Sequence, residues 1–267
     1  MKYTINDIAK LLGVSSHKLR FYEKAKIIKP VSNNETGYRY YSVLDTRRFN
    51  LAQYYRGMNF SLDKVNQLMI KDDIAYVIAE IEKKEQEIQQ NIIFEKLCLE
   101  EIEHYRYLLS LLNQDRNYVG TIELDDYIRV EFSNDETVVD DPKLLKLRDE
   151  LLKYSPLIKW VSRIEKDSIS SYTTPKYHYG INMRKSHALA LGIDISEYEL
   201  IKKSKYILTF FVKDTRKPYE RYTMASSLKY IQDHDIKNFY DGYSSCIKST
   251  MIDDDYINIH YFMTKID

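Results

Sequence analysis

The chain is short of the residues that interrupt or cross-link a fold: only seven Gly, five Pro, two Cys and one Trp occur in 267 positions. So little Gly and Pro excludes a collagen-like or low-complexity chain, and 44% hydrophobic content excludes a disordered one. No apolar run approaches the roughly 20 residues that a bilayer span needs. Met1-Lys2-Tyr3-Thr4-Ile5-Asn6-Asp7 lacks the apolar core of a signal peptide. A cytoplasmic protein with no membrane partner is therefore expected. Cys98 and Cys246 lie far apart, and neither has a Cys or His neighbour at metal-ligand spacing. That argues against structural zinc and against a CxxC redox pair. Two reduced thiols filling apolar space are expected, with no metal and no cofactor.

Net charge is absent too, with forty basic residues against forty acidic ones, but the balance is uneven along the chain. Residues 1–70 carry twelve Lys and Arg against five acids, an excess of seven positive charges that the remainder cancels. Such asymmetry points to a polyanionic partner for the basic end.

What that end contains is legible. Thr4 followed by Asp7 reads as a capped helix start, and Ile5, Ile8, Ala9 and Leu12 fall on one apolar face. Gly13 is a natural helix stop. Ser15 then caps a second helix to about Lys24, which completes a helix-turn-helix. Leu19 and one of Phe21 or Tyr22 must face inward. Ser15, Ser16, His17, Lys18 and Arg20, with Tyr22 after them, form the segment expected to meet bases and phosphates, as the first turns of a recognition helix do. The stretch from Pro30 to Tyr41, turning at Asn33-Asn34 and Gly37, reads as a two-stranded wing. Tyr38, Arg39 and Tyr41 can bring a charge and phenolic hydroxyls to a phosphate backbone. Ser42 and Ser61 open two more helices.

Four phrases in this order resemble the winged-helix reader of the MerR family of bacterial transcription regulators: Gly13-Val14-Ser15, Leu19-Arg20-Phe21-Tyr22-Glu23, Gly37-Tyr38-Arg39-Tyr40-Tyr41 and Gly57-Met58-Asn59-Phe60-Ser61-Leu62. Phe21, where Tyr is more usual, and Ala25-Lys26 depart from the family pattern. The resemblance implies a non-enzymatic homodimer on double-stranded promoter DNA. It also implies an inverted repeat inside an overlong promoter spacer, distorted so that RNA polymerase can engage it.

From Asp73 to about Leu112 there is no Gly or Pro. Ile74, Ile81, Ile88, Ile102 and Leu109 recur at sevens, with a second row through Ile78, Glu85, Ile92, Leu99 and Arg106. Offset by three and four, the rows form a coiled-coil seam, interrupted by Glu85, Glu95 and Arg106. The family resemblance implies that the helix pairs antiparallel with its twin.

Beyond Asn113, strand-like runs are expected at 121–132, 158–165, 177–184, 205–212, 243–250 and 255–265, with helices from Pro142 and around 224–233. The order suggests a duplicated α+β domain, similar to the GyrI-like effector-binding domains attached to some MerR regulators, including multidrug-responsive ones. That resemblance implies a small-molecule effector, often an aromatic cation held by rings and an acidic residue. Many of the 25 tyrosines lie here, Tyr154, Tyr172, Tyr219, Tyr222, Tyr230, Tyr240, Tyr243 and Tyr256 among them. The candidate ligand-binding residues are Trp160, Tyr177, Tyr179, Tyr206 and Tyr261. Tyr243-Ser244-Ser245-Cys246 and Ile257-Asn258-Ile259-His260 stand where related domains often place Glu.

The fold class expected is thus multidomain α and α+β. It comprises a winged helix-turn-helix (1–72), a long antiparallel coiled-coil dimerisation helix (73–113) and a duplicated effector-binding domain (118–267). A metal or redox sensor is disfavoured, since residues 105–125 contain no thiol. A hydrolase is disfavoured because no Ser-His-Asp or paired-carboxylate spacing stands out. An architectural DNA binder without ligand, or a GyrI-like domain with hydrolase activity, remains as the alternative.

Overall fold

The computed structural model describes residues 3–33, 37–134, 137–171, 177–214, 224–252 and 255–267. They form two compact units, Met1–Gln89 and Gln90–Asp267.

The first unit is built on side-chain caps. In α1 (Ile5–Leu12) the Thr4 side chain accepts from the Asp7 N–H while the Asp7 carboxylate accepts from the Thr4 N–H, the reciprocal box that the Thr-x-x-Asp spacing predicts. Gly13 closes the helix at φ 65°, a left-handed conformation that a side chain would strain. Ser15 accepts from Lys18 N–H at 3.2 Å and starts α2 (Ser16–Lys24). The wing pairs β1 (Val31–Ser32) with β2 (Arg39–Tyr40), and Tyr3 and Tyr41 exchange backbone hydrogen bonds at its base. Of the predicted wing, Asn34, Glu35 and Thr36 lie outside the described residues. Ser42 caps α3 (Val43–Gly57), and Ser61 caps α4 (Leu62–Ile70). Ile8, Leu19, Ile28, Phe49, Ala52, Val65 and Leu68 converge on one core, each apolar side chain adding roughly 1.5–3 kcal/mol when fully buried.

The helix α5 (Ile74–Gln114) runs unbroken, as its lack of Gly and Pro predicts. Ile74, Ile78, Ile88, Ile92, Leu99 and Ile102 of the two apolar rows are all exposed on this chain. Among the described residues, no helix is long and apolar enough to cross a membrane.

The second unit centres on an eight-stranded antiparallel sheet in the order β3-β10-β12-β11-β7-β8-β4-β9. One run of chain contributes β4 (Tyr127–Glu131), α6 (Pro142–Leu152), β7 (Ile158–Ile164) and β8 (Tyr177–Arg184). A second contributes β10 (Ser204–Asp214), α9 (Ala225–Asp233), β11 (Phe239–Ile252) and β12 (Asp255–Ile266). Each run follows the order strand, helix, strand, strand, and the two meet where β11 pairs with β7 from Gly242↔Ile164 to Ser244↔Ser162. The outer strands are β3 (Val119–Leu124) and β9 (Glu199–Ile201), and β5 (Ser133–Asn134) pairs separately with β6 (Thr137–Val138). Two short helices, α7 (Lys166–Ser171) and α8 (Lys185–Ala190), follow β7 and β8.

Two expectations need correction. The strand predicted over 121–132 is two strands, β3 and β4, placed toward opposite ends of the sheet. Asp125 and Asp126 break it, and Asp126 instead ties two other segments of the chain. Its carboxylate accepts from the Lys203 N–H at 2.8 Å and its carbonyl from the Lys185 N–H at 2.9 Å. Of the two thiols expected in apolar space, Cys98 is buried but Cys246 is exposed.

Asp45 offers a direct check on the caps. Burial pushes its carboxyl pKa up. The N–H groups of Ser42 (2.8 Å) and Lys29 (2.9 Å) donate to it and outweigh that, holding it below the ordinary value. Asp45→Ala should therefore destabilise the first unit by about 1–2 kcal/mol at neutral pH, read from urea unfolding. Because the folded carboxyl is the stronger acid, the gap between wild type and variant is full above the unfolded value of about 4 and closes as pH falls through the folded one.

Candidate functional site

The first turns of α2 present a continuous polar surface. Ser15, His17, Lys18 and Arg20 are exposed and Ser16 is half-buried, with Lys18 Nζ donating to Gln53 Oε1 on α3 at 2.9 Å. On the wing, Tyr38 and Arg39 are exposed, and Arg39 pairs with Glu23 at 2.9 Å. The capped start of α2 adds unpaired backbone N–H groups, which favour anions.

Two of the expected contact residues, Tyr22 and Tyr41, are buried. Tyr22 is only 4% exposed, its ring edge-on to Phe49 at 5.0 Å and its hydroxyl accepting from the Gln53 amide. Leu19 and Tyr22 are thus the inward residues of α2, leaving Phe21 exposed. Tyr41 is 1% exposed and donates to Glu23 Oε2 at 3.1 Å; burial, then the adjacent Glu23 carboxylate, pushes its phenol up to about 12. Both tyrosines pack behind helix and wing, with their hydroxyls engaged by Gln53 and Glu23. Arg47 and Arg48, exposed on the first turns of α3, extend the basic surface and were not singled out by sequence, because no motif marks them.

In the second unit, a cavity of about 90 Å³ opens between the sheet and the C-terminal part of α5. At the roughly 10–15 Å³ that a water needs, it has room for several heavy atoms. Tyr127, Tyr206, Tyr243 and Tyr261 supply rings from four strands, and His104 and Tyr105 approach from the helix. Tyr105 is anchored by its hydroxyl, which donates to the Ile247 carbonyl at 2.6 Å. Lys159, Asn182, Ser245 and Cys246 add polar edges.

Of the sequence candidates, Tyr206 and Tyr261 line this cavity and Trp160, Tyr177 and Tyr179 do not. Strand alternation places Trp160 away from the cavity: Lys159 and Val161 face it, so Trp160 between them points to the opposite face, where its ring meets Phe132 edge-on at 5.8 Å. Tyr177 packs with Ile164, Ile169 and Met224, and Tyr179 is largely exposed. Tyr172, Tyr219 and Tyr222 lie outside the described residues. Tyr127 and Tyr243, absent from the candidates, belong to the cavity. A single strand over 121–132 carries no facing for Tyr127, because the chain breaks at Asp125-Asp126 between β3 and β4.

Electrostatically the region is organised around Glu101 of α5. Burial drives its carboxyl pKa up, but Lys159 at 3.0 Å and Arg184 at 2.9 Å reverse that and hold it low. His104, half-buried and near Arg184, is held below the ordinary imidazole value by desolvation first and then by that guanidinium. Burial raises the phenols of Tyr127 and Tyr206 to about 12, and pushes those of Tyr243 and Tyr261 up as well. They are neutral hydroxyls that can donate. Farther along the same face, Arg129 is 1% exposed and donates to Glu131, to Asn182 Oδ1 at 2.8 Å and to the His178 carbonyl at 2.9 Å. A side chain at position 180 would collide with that guanidinium and with the Val130 carbonyl, so glycine is needed there.

A helix-turn-helix followed by a two-stranded hairpin defines the winged helix-turn-helix class. Its type follows from comparison: residues 3–71 match the family of MerR HTH regulatory proteins, so the N-terminal segment is a MerR-type winged helix-turn-helix. Among curated relatives, "Probable heavy metal-dependent transcriptional regulator" of Haemophilus influenzae is 38% identical over 69 residues, covering 26% of this chain and 54% of that protein. "HTH-type transcriptional regulator CueR" of Escherichia coli O157:H7 is 29% identical over 97 residues, covering 32% of this chain and 72% of that protein. The chain spans 54%, 27% and 47% of the lengths of three such relatives. Among solved structures, the EcmrR–DNA complex in EcmrR-RPo covers 99% of this chain and 100% of that one, at 15% identity and a TM-score of 0.41. Likeness at that level does not bear on function.

Glu101→Ala would leave Lys159 and Arg184 without their shared carboxylate. A loss of roughly 3 kcal/mol in the second unit is expected by thermal or urea unfolding at neutral pH. The wild-type advantage is present above the unfolded carboxyl value and disappears as pH falls through the lowered folded one.

Proposed function

We propose that the chain is a MerR-like, DNA-binding transcription regulator that binds an inverted repeat in a promoter spacer as a homodimer and responds to a small molecule held by its C-terminal domain. The observation that carries this reading is the exposed first turn of α2, with Ser15, Ser16, His17, Lys18 and Arg20 beside Tyr38 and Arg39 of the wing, in a segment bearing seven excess positive charges. Such a helix suits the major groove, and basic residues around it suit phosphates. The curated relatives' names, all transcriptional regulators or activators, support the same reading.

In this reading the functional parts are the reader (1–72), the dimerisation helix (73–113) and a GyrI-like effector-binding domain (118–267). The exposed Ile and Leu residues of the α5 rows support pairing with a second copy, because apolar side chains left in water along such a length are costly, and the antiparallel orientation is the one the family resemblance implies. The repeated strand–helix–strand–strand order and the tyrosine-lined cavity support a duplicated ligand-binding domain. A cytoplasmic location and a productive encounter with RNA polymerase follow from the function proposed.

Arg20→Ala should weaken binding to operator DNA about tenfold and lower the slope of log affinity against log salt by about one, the signature of one lost phosphate contact, by fluorescence anisotropy. An unchanged affinity and slope would remove α2 from the interface. Ile92→Glu, placed in the exposed seam, should convert a dimer at micromolar concentration to a monomer by sedimentation; a wild-type protein already monomeric would refute the pairing.

A further inference from the structure

Aromatic ring faces attract cations, so a cavity walled by tyrosines is by default a cation site. Two of these rings are already occupied. The Arg129 guanidinium lies 5.8 Å from the Tyr243 ring centre and that of Arg184 lies 6.0 Å from the Tyr127 ring centre. Neither is free to leave: Arg129 is locked by Glu131, Asn182 and the His178 carbonyl, and Arg184 by Glu101. Lys159 reaches the cavity directly.

No carboxylate answers these charges from within. Among the described residues lining the cavity there is no Asp or Glu. Glu101, on α5 beside it, is buried and already engaged by Lys159 at 3.0 Å and Arg184 at 2.9 Å. A cationic guest would meet the Lys159 ammonium in the cavity wall and lose its hydration without gaining an unpaired carboxylate. The polar groups that remain include donors an anion can use. The hydroxyls of Tyr127 and Tyr206 keep their protons up to about pH 12, and Asn182, whose oxygen is taken by Arg129, has only its N–H groups left.

We propose that this cavity takes a small aromatic anion, its ring among the tyrosines and its carboxylate directed to Lys159. The inference rests on the reading of this cavity as an effector site, and reverses the cationic preference that a tyrosine lining suggests.

Three probes of nearly one shape separate the charges: benzoate, benzamide and benzamidine, titrated into the full-length protein by calorimetry or ligand-detected NMR. Benzoate should bind about tenfold or more tightly than benzamidine, with benzamide between them. Lys159→Met should weaken benzoate about tenfold while leaving benzamide within about twofold, and Lys159→Arg, which keeps the charge and the Glu101 pair, should retain benzoate. Ser245→Leu, which fills the cavity wall, should abolish all binding and so fix its location. Benzamidine binding as well as benzoate, with Ser245→Leu abolishing both, would overturn the anion inference and leave the effector-site reading standing. Benzoate affinity indifferent to Lys159→Met would also overturn the inference alone. Failure of all three probes to bind would overturn both.

Discussion

Glu101 is the group around which the second unit is arranged. A carboxylate buried on a helix costs several kcal/mol of lost hydration unless cations meet it, and two do, Lys159 from β7 and Arg184 from the end of β8. Their approach fixes where α5 crosses the sheet. With that crossing fixed, His104, Tyr105 and Leu108, on the next turns, become the roof over the tyrosines of the strands. The cavity is the space left between a helix pinned by charge and a sheet whose inward residues are rings too broad to fill it.

The same charge logic continues across the sheet. Arg163 ties Glu131 to Asp241 with contacts of 2.8 Å, and Glu131 also receives Arg129. These pairs link β4, β7 and β11, and so join the two strand–helix–strand–strand runs at their seam. Partly buried ion networks of this kind add little net stability over apolar packing, but a buried member such as Arg129 is costly to remove singly. They specify which strands neighbour one another, and that sets which tyrosines share a wall.

Sequence revealed the N-terminal unit almost completely, because its determinants are local. Thr4-Asp7, Ser15, Ser42-Asp45 and Ser61 each announce a helix start within four residues, and Gly13 announces a stop. The long helix was equally plain from its heptads and its lack of Gly and Pro. The cavity was not, for a physical reason. A strand's facing depends on register, and one residue of error moves every side chain to the other surface. Trp160 lost its place by that parity, and Tyr127 and Tyr243 gained theirs. Tyr22 and Tyr41 show the complementary lesson: in a basic segment a tyrosine reads as a phosphate contact, yet each is needed to wedge the reader's core, and charge patterning alone does not show which face a ring takes. Glu101, one acid in a helix full of them, had no mark at all.

The central claim is that the basic winged helix-turn-helix reads DNA as a symmetric pair. In-vitro selection from a random double-stranded DNA pool with the full-length protein tests it most directly. The account predicts enrichment of an inverted repeat, with two equivalent half-sites at one fixed spacing. Enrichment of a single half-site, of half-sites at no fixed spacing, or of no duplex sequence would contradict it.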